Sequence, residues 1–154
     1  MSEFTYRKAE QSDLPTVAAA KKEALREKWE WDEKTLGAIV ENYVDTIRRG
    51  VASVCLAYNN AGFVGFGAVY IWDSGGSTLS DLYVLPEYRH NGVMHGLVNA
   101  LIQEARERGC RSVWLLSKNE EHRAHWKALG FRELYEENNE GVTELSSKME
   151  MPLN

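Results

Sequence analysis

The chain predicts an α/β domain in which about seven strands form a mixed sheet flanked by about four helices. Three observations predict it. Apolar residues recur at every second position in some segments and at every third or fourth in others, so that both strands and helices are read along the chain. Residues 51–58 and 63–72, rich in β-formers, flank the turn residues Asn59, Asn60, Ala61 and Gly62, the pattern of an antiparallel hairpin. Residues 79–116 read as strand, helix and strand at the length a parallel crossover needs. A sheet that holds both kinds of connection is mixed.

In chain order, residues 4–9 set Phe4 and Tyr6 against polar neighbours and read as a short strand. Asp13, or Ser12 before it, can cap a helix that carries Pro15 in its first turn, with Leu14, Val17, Ala18 and Leu25 as its apolar stripe and an end near Trp29. A second helix spans 32–49, where Leu36, Ile39, Val40, Tyr43, Val44 and Ile47 repeat at three and four until Gly50. The hairpin follows, residues 73–77 turn again, and residues 78–85 form the strand that feeds the crossover helix. Met94, Leu97, Val98, Leu101, Ile102 and Ala105 supply that helix's buried face, and Gly109 ends it. Residues 112–116 are the next strand. Asn119 or Ser117 caps a last helix that Gly130 stops, and residues 131–136 and 142–151 close the sheet around the acidic turn 136–141.

Length and composition bound the function. With 154 residues, 44% hydrophobic, and no Pro/Gly/Ser-rich linker, the chain reads as one domain, 1–154. The amino-terminal run has no apolar signal region and no segment is long enough to span a bilayer, which predicts a cytoplasmic protein without a membrane partner. Cys55 and Cys110 show no metal-ligand spacing and read as buried reduced thiols. A net charge of −5 argues against nucleic acid as a partner and favours a cationic one. His122 and His125 stand three apart on the last helix, but no carboxylate or cysteine pattern completes a metal site.

The stretch LSDLYVLPEYRHNGVMHGL carries the chemistry. An apolar strand ends at Pro86, a turn with Arg89, His90, Asn91 and Gly92 follows, and helical spacing begins at once. Backbone N–H groups of such a loop and of the first helical turn point into one small space, where a phosphate gains from oriented donors and a partial positive charge of about half a unit. Gly92 permits close approach of the backbone and Arg89 adds charge.

The order of elements, joined to LYVLPEYRHNGVMHGL and NEEHRAHWKALGF, resembles the GCN5-related N-acetyltransferase (GNAT) superfamily over nearly the whole chain. The matching parts are the apolar strand with Val-x-Pro, the Arg-x-x-Gly loop, and the late helix ending in Gly-Phe. This resemblance implies the acyl-CoA N-acyltransferase fold and transfer of an acetyl group from acetyl-CoA, by direct attack, to a primary amine of a small molecule or a protein. It implies that the cofactor's pyrophosphate lies on the backbone from His90 through Asn91, Gly92, Val93 and Met94 to His95, beside Arg89. Its pantetheine arm would pair with the backbone of Leu82, Tyr83 and Val84, with Asn119 touching the same arm. Met94 stands where the family prefers Gly or Ala, so phosphate would sit less closely there. Homodimers are frequent among such proteins.

An exposed alkylammonium has a pKa of roughly 10.4, so freeing the attacking amine at pH 7 costs about 4.6 kcal/mol, and a base is worth seeking. The family's usual carboxylate position in the strand holds Ser80 here. Asp81 is its neighbour, but alternation sends successive side chains to opposite faces. Either a bulge reorients Asp81, or Ser80 holds a water, or the base lies elsewhere. The family's tyrosine in the late helix is replaced by Trp126, which either walls the thioester site or packs in the core; its indole donates a hydrogen bond but no practical proton. A strand N–H at Tyr83 or Val84 would polarise the thioester carbonyl. The resemblance further implies an acceptor pocket among the first two helices, the hairpin and the turn between the last strands, where this chain puts Trp29, Glu30, Trp31, Asp32, Trp72, Asp73 and several glutamates, and aromatic faces with carboxylates suit an ammonium. Ser80 and Trp126 keep a second reading open, a CoA-binding sensor or scaffold with little activity.

Overall fold

A computed structural model describes residues 3–153; the remaining residues of the 1–154 range lie outside the described ones. The elements follow the predicted order: β1 (Thr5–Lys8), α1 (Leu14–Lys28), α2 (Glu33–Arg48), β2 (Ala52–Asn59), β3 (Gly62–Ile71), β4 (Gly76–Val84), α3 (Val93–Glu107), β5 (Ser112–Leu116), α4 (Glu120–Ala128), β6 (Arg132–Glu137) and β7 (Thr143–Pro152). The strands form one mixed sheet in the order β1-β2-β3-β4-β5-β7-β6. Among the described residues only the β4–β5 pair is parallel, as the crossover through α3 requires.

Alternation in β2 explains the layers. Val54 and Leu56 join Val17, Ala20 and Tyr43 under α1 and α2, whereas Cys55 and Ala57 join Leu97, Val98 and Leu101 under α3. A strand covered on both faces is mostly apolar, which is why residues 51–58 read as rich in β-formers without polar alternation. Cys55 and Cys110 are buried free thiols, and burial pushes Cys55 up to about 11, so it stays protonated. Among the described residues no helix is long and apolar enough to cross a membrane.

Two irregularities in β4 position the site. Its pairing with β5 runs only from Gly76↔Ser112 to Thr78↔Trp114, after which the strands part. The other irregularity lies on the β3 side, where Ala68 opposes Ser80 and Phe66 opposes Tyr83, so that Asp81 and Leu82 together face Gly67. This is a β-bulge, and Asp81 takes the left-handed φ of +58° to make it. Gly67 gives it room: a Cβ there would lie 2.6 Å from Leu82 Cδ2 and 2.9 Å from Leu101 Cδ1.

The entry to α1 is tied to β1 by Asp13, whose carboxylate accepts from Arg7 Nη1 at 2.7 Å, Arg7 Nη2 at 2.8 Å and the Glu10 N–H at 2.7 Å. The Arg7 hydrogen bonds, with the Glu10 N–H second, hold the Asp13 carboxyl down to about 2. A carboxylate depressed in the folded state stabilises fully above its unfolded value, and that contribution is lost as pH falls through the folded one. Asp13→Asn should therefore cost about 1 kcal/mol at neutral pH. Urea denaturation of parent and variant, repeated from pH 5 down to pH 2, should show the difference shrinking below about pH 4.

Candidate active site

The cleft between α1, the bulged half of β4 and the start of α3 encloses about 870 Å³. Of the residues singled out in the sequence, Ser80, Asp81, Leu82, Tyr83, Val84, Arg89, His90, Gly92, Val93 and Met94 line it, while Asn91, His95, Asn119 and Trp126 do not. Ser80 and Asp81 are neighbours in the strand, yet both reach the cleft, because the bulge breaks the alternation between them.

At one end of the cleft the loop after β4 turns into α3. Pro86–Tyr88 form one 3-10 turn, and His90 and Gly92 adopt left-handed φ values of +67° and +83°. Asn91 stands outside the cleft and staples the loop, donating from Nδ2 to the carbonyls of Tyr88 at 3.2 Å and Arg89 at 3.1 Å. Gly92 is the N-cap of α3, and among the described residues no side chain caps that helix. By contrast, Asp32 caps α2 by accepting from Thr35 N, and Asn119 caps α4 by accepting from His122 N. The first N–H groups of α3 thus have no side-chain acceptor and carry the positive end of the helix dipole.

Arg89 has a different surrounding from the one its place in the loop suggests. Its Nη2 donates to both oxygens of Glu27, at 2.8 and 3.1 Å, and its Nε donates to the Val84 carbonyl at 2.8 Å. The guanidinium also lies 5.5 Å from the centre of the Tyr83 ring. This pairing holds Glu27 below the usual carboxylate range. Arg89 therefore fastens α1 to the end of β4, and its charge is largely neutralised by Glu27.

At the bulge a polar cluster lies under the cleft. Lys21 Nζ donates to Asp81 Oδ1 at 2.5 Å, and the Tyr70 hydroxyl donates to Asp81 Oδ2 at 2.9 Å. The Lys21 ammonium also sits 4.7 Å from the centre of the Tyr43 ring. Both members of the ion pair are nearly buried, with side chains 14% and 12% exposed. Burial, then the Asp81 charge, raises the Tyr43 and Tyr70 hydroxyls well above their ordinary value, so both remain protonated. The Tyr43 hydroxyl is buried without a hydrogen-bond partner among the described residues.

Lys21, Tyr70, Tyr43 and Glu27 were missed by sequence reasoning. One signal was present: Lys21 falls on the apolar stripe Leu14, Val17, Ala18, Leu25 at helical spacing, an unusual place for a lysine. Tyr43 falls on the apolar repeat of the second helix and Tyr70 inside the strand 63–72, positions that carry no functional signal of their own. Trp29 lines the cleft, is half exposed and stacks on Trp31, with ring centres 5.3 Å apart, whereas Trp72, which stacks on Tyr70, does not line it. Trp126 packs edge-on against Phe131 at 5.6 Å, and its helix sends His122 into the cleft instead. Arg123 anchors α4, donating to the carbonyls of Ser117 and Ser146 and pairing with Glu133. Among the described residues no group of His, Cys, Asp or Glu forms a metal site.

The family model described as Acetyltransferase (GNAT) family matches residues 14–131. The chain belongs to this family of acetyltransferases. Solved structures agree with the fold. A GNAT-family acetyltransferase from Staphylococcus aureus Mu50 is 17% identical with a TM-score of 0.73, covering 99% of this chain and 100% of that one. The ribosomal-protein-S18-alanine N-acetyltransferase of Escherichia coli is 24% identical with a TM-score of 0.69, covering 99% and 95%. The PaiA N-acetyltransferase of Thermoplasma acidophilum, in complex with coenzyme A, is 17% identical with a TM-score of 0.67, covering 98% and 99%. No curated protein matches the sequence.

Proposed function

We propose that this GNAT protein transfers an acetyl group from acetyl-CoA to a primary amine, of a small molecule or of a protein, by direct attack in the cleft. One observation carries the reading: the uncapped start of α3 behind Gly92 and the edge of β4 that β5 leaves after Thr78 border one cleft, with the Asp81 bulge between them. A polyanion fits the first, because N–H groups there lack side-chain acceptors and a Cβ built on Gly92 meets nothing within 4 Å. An amide-bearing arm fits the second, pairing with the backbone of Leu82, Tyr83 and Val84 as a strand would.

Acetyl-CoA supplies the thioester; the chain's own residues orient the reactants and manage charge. Backbone N–H groups from His90 to His95 hold the pyrophosphate, with Arg89 acting through the loop it fastens. A backbone N–H at Tyr83 or Val84 polarises the thioester carbonyl. Asp81 receives the acceptor's ammonium and, with Ser80 beside it, relays the proton the amine must lose. Asn119 and Trp126 support the site from α4 without lining the cleft.

A second reading is favoured by one observation: Asp81 is already ion-paired, which suits a CoA-binding sensor better than a base. One experiment separates them. With acetyl-CoA and a panel of small amines and peptides, free CoA thiol should appear well above the hydrolysis background. CoA binding with silence across the panel would favour the sensor, and a lack of CoA binding would remove both readings.

A further inference from the structure

Lys21 is the unusual feature of the cleft. Its ammonium makes the contacts an acceptor amine would need: a carboxylate at 2.5 Å, an aromatic face at 4.7 Å, and a phenol that orients the carboxylate's other oxygen at 2.9 Å. Asp81 holds a left-handed φ of +58° at the bulge, a conformation uncommon outside glycine that aspartate adopts more readily than most residues. Lys21, Asp81, Leu82 and Tyr83 line the same cleft, so the lysine stands beside the strand segment assigned to the acyl donor.

We propose that Lys21 is the protein's own acyl acceptor: when acetyl-CoA is bound and no external amine is present, Lys21 is acetylated in the same molecule. This rests on the acetyltransferase reading above. The Lys21 ammonium first gives a proton to Asp81 or, through it, to solvent. The neutral Nζ then forms a bond to the acyl carbon, the carbon–sulfur bond breaks, CoA leaves as its thiolate, and the remaining extra proton on nitrogen passes to solvent or to the thiolate. The product is a neutral acetamide that no longer pairs with Asp81. An external amine that reaches Asp81 displaces Lys21 and protects it.

Peptide mass spectrometry of the intact protein incubated with acetyl-CoA alone tests this. Lys21 should take up acetyl faster than the exposed Lys34 and Lys118 by at least about tenfold, because it is held beside the donor. The rate should not depend on protein concentration, and added CoA should suppress it. Acetyl phosphate, which lacks the CoA handle, should reverse the order and mark the exposed lysines first. Lys21→Arg should lose the acceptor-free release of CoA thiol, limited to one per chain, that the parent shows. Thermal shift with CoA in the same samples tells apart the two ways of failing. If CoA raises the melting temperature and Lys21 stays unmodified, this inference is overturned and the acetyltransferase reading stands. If CoA does not bind, both fall.

Discussion

Asp81→Leu should lower stability by roughly 3 kcal/mol and reduce acetyl transfer by about a hundredfold or more. Both effects come from one carboxylate. The variant leaves the Lys21 ammonium nearly buried beside an apolar side chain, and removing one partner of a buried ion pair costs more than the pair itself contributes. It also takes the acceptor from the Tyr70 hydroxyl. For a chain of this length such a loss corresponds to a fall in melting temperature of about 9 °C. The double variant Lys21→Met with Asp81→Leu removes both charges, and its stability should return close to that of the parent. Transfer should not return with it, because the acceptor's ammonium still lacks its carboxylate. Urea denaturation and the thiol assay on the four proteins check this cycle. Recovery of transfer in the double variant would remove Asp81 from the chemistry and leave it a purely structural role.

Gly92→Val should weaken CoA binding by at least about tenfold, a loss of some 1.4 kcal/mol or more in affinity. Gly92 has φ +83°, a conformation that costs an L-residue about 1–2 kcal/mol, and the new side chain would stand over the first N–H groups of α3. Strain alone could not produce a selective loss of CoA. Gly109, at the other end of α3, has φ +79° and equally open surroundings, so Gly109→Val carries a similar backbone cost far from the loop. Calorimetry of both variants should show similar losses of stability, with CoA affinity falling only for Gly92→Val. Unchanged affinity in that variant would remove the start of α3 as the phosphate site.

Along the chain, most of the fold was legible because its cues are local. The alternation of periods marked each element, Asp32 and Asn119 cap the helices they precede, and residues 59–62 close the hairpin with Asn59 accepting from Ala61 N and Gly62 N. Small differences at element ends have plain causes. β6 starts at Arg132 because the Phe131 N–H is still used by the end of α4, donating to the Trp126 carbonyl.

The candidate site divides along the same physical line. Its phosphate end could be read from sequence, since a strand, a glycine-bearing turn and a helix start are consecutive residues whose N–H groups are oriented by the backbone itself. Its acceptor end could not. Lys21 and Asp81 are 60 residues apart in the chain, and Arg89 lies 62 from Glu27. Partners that far apart leave no periodic trace, and an arginine in a phosphate loop looks the same whether its charge is free or held by a carboxylate. Alternation in β4 left Asp81 undecided between the two faces of the sheet, and the register with β3 resolved it: two residues opposite Gly67 turn the carboxylate into the cleft, where only the packing of α1 on the sheet could bring Lys21 to meet it.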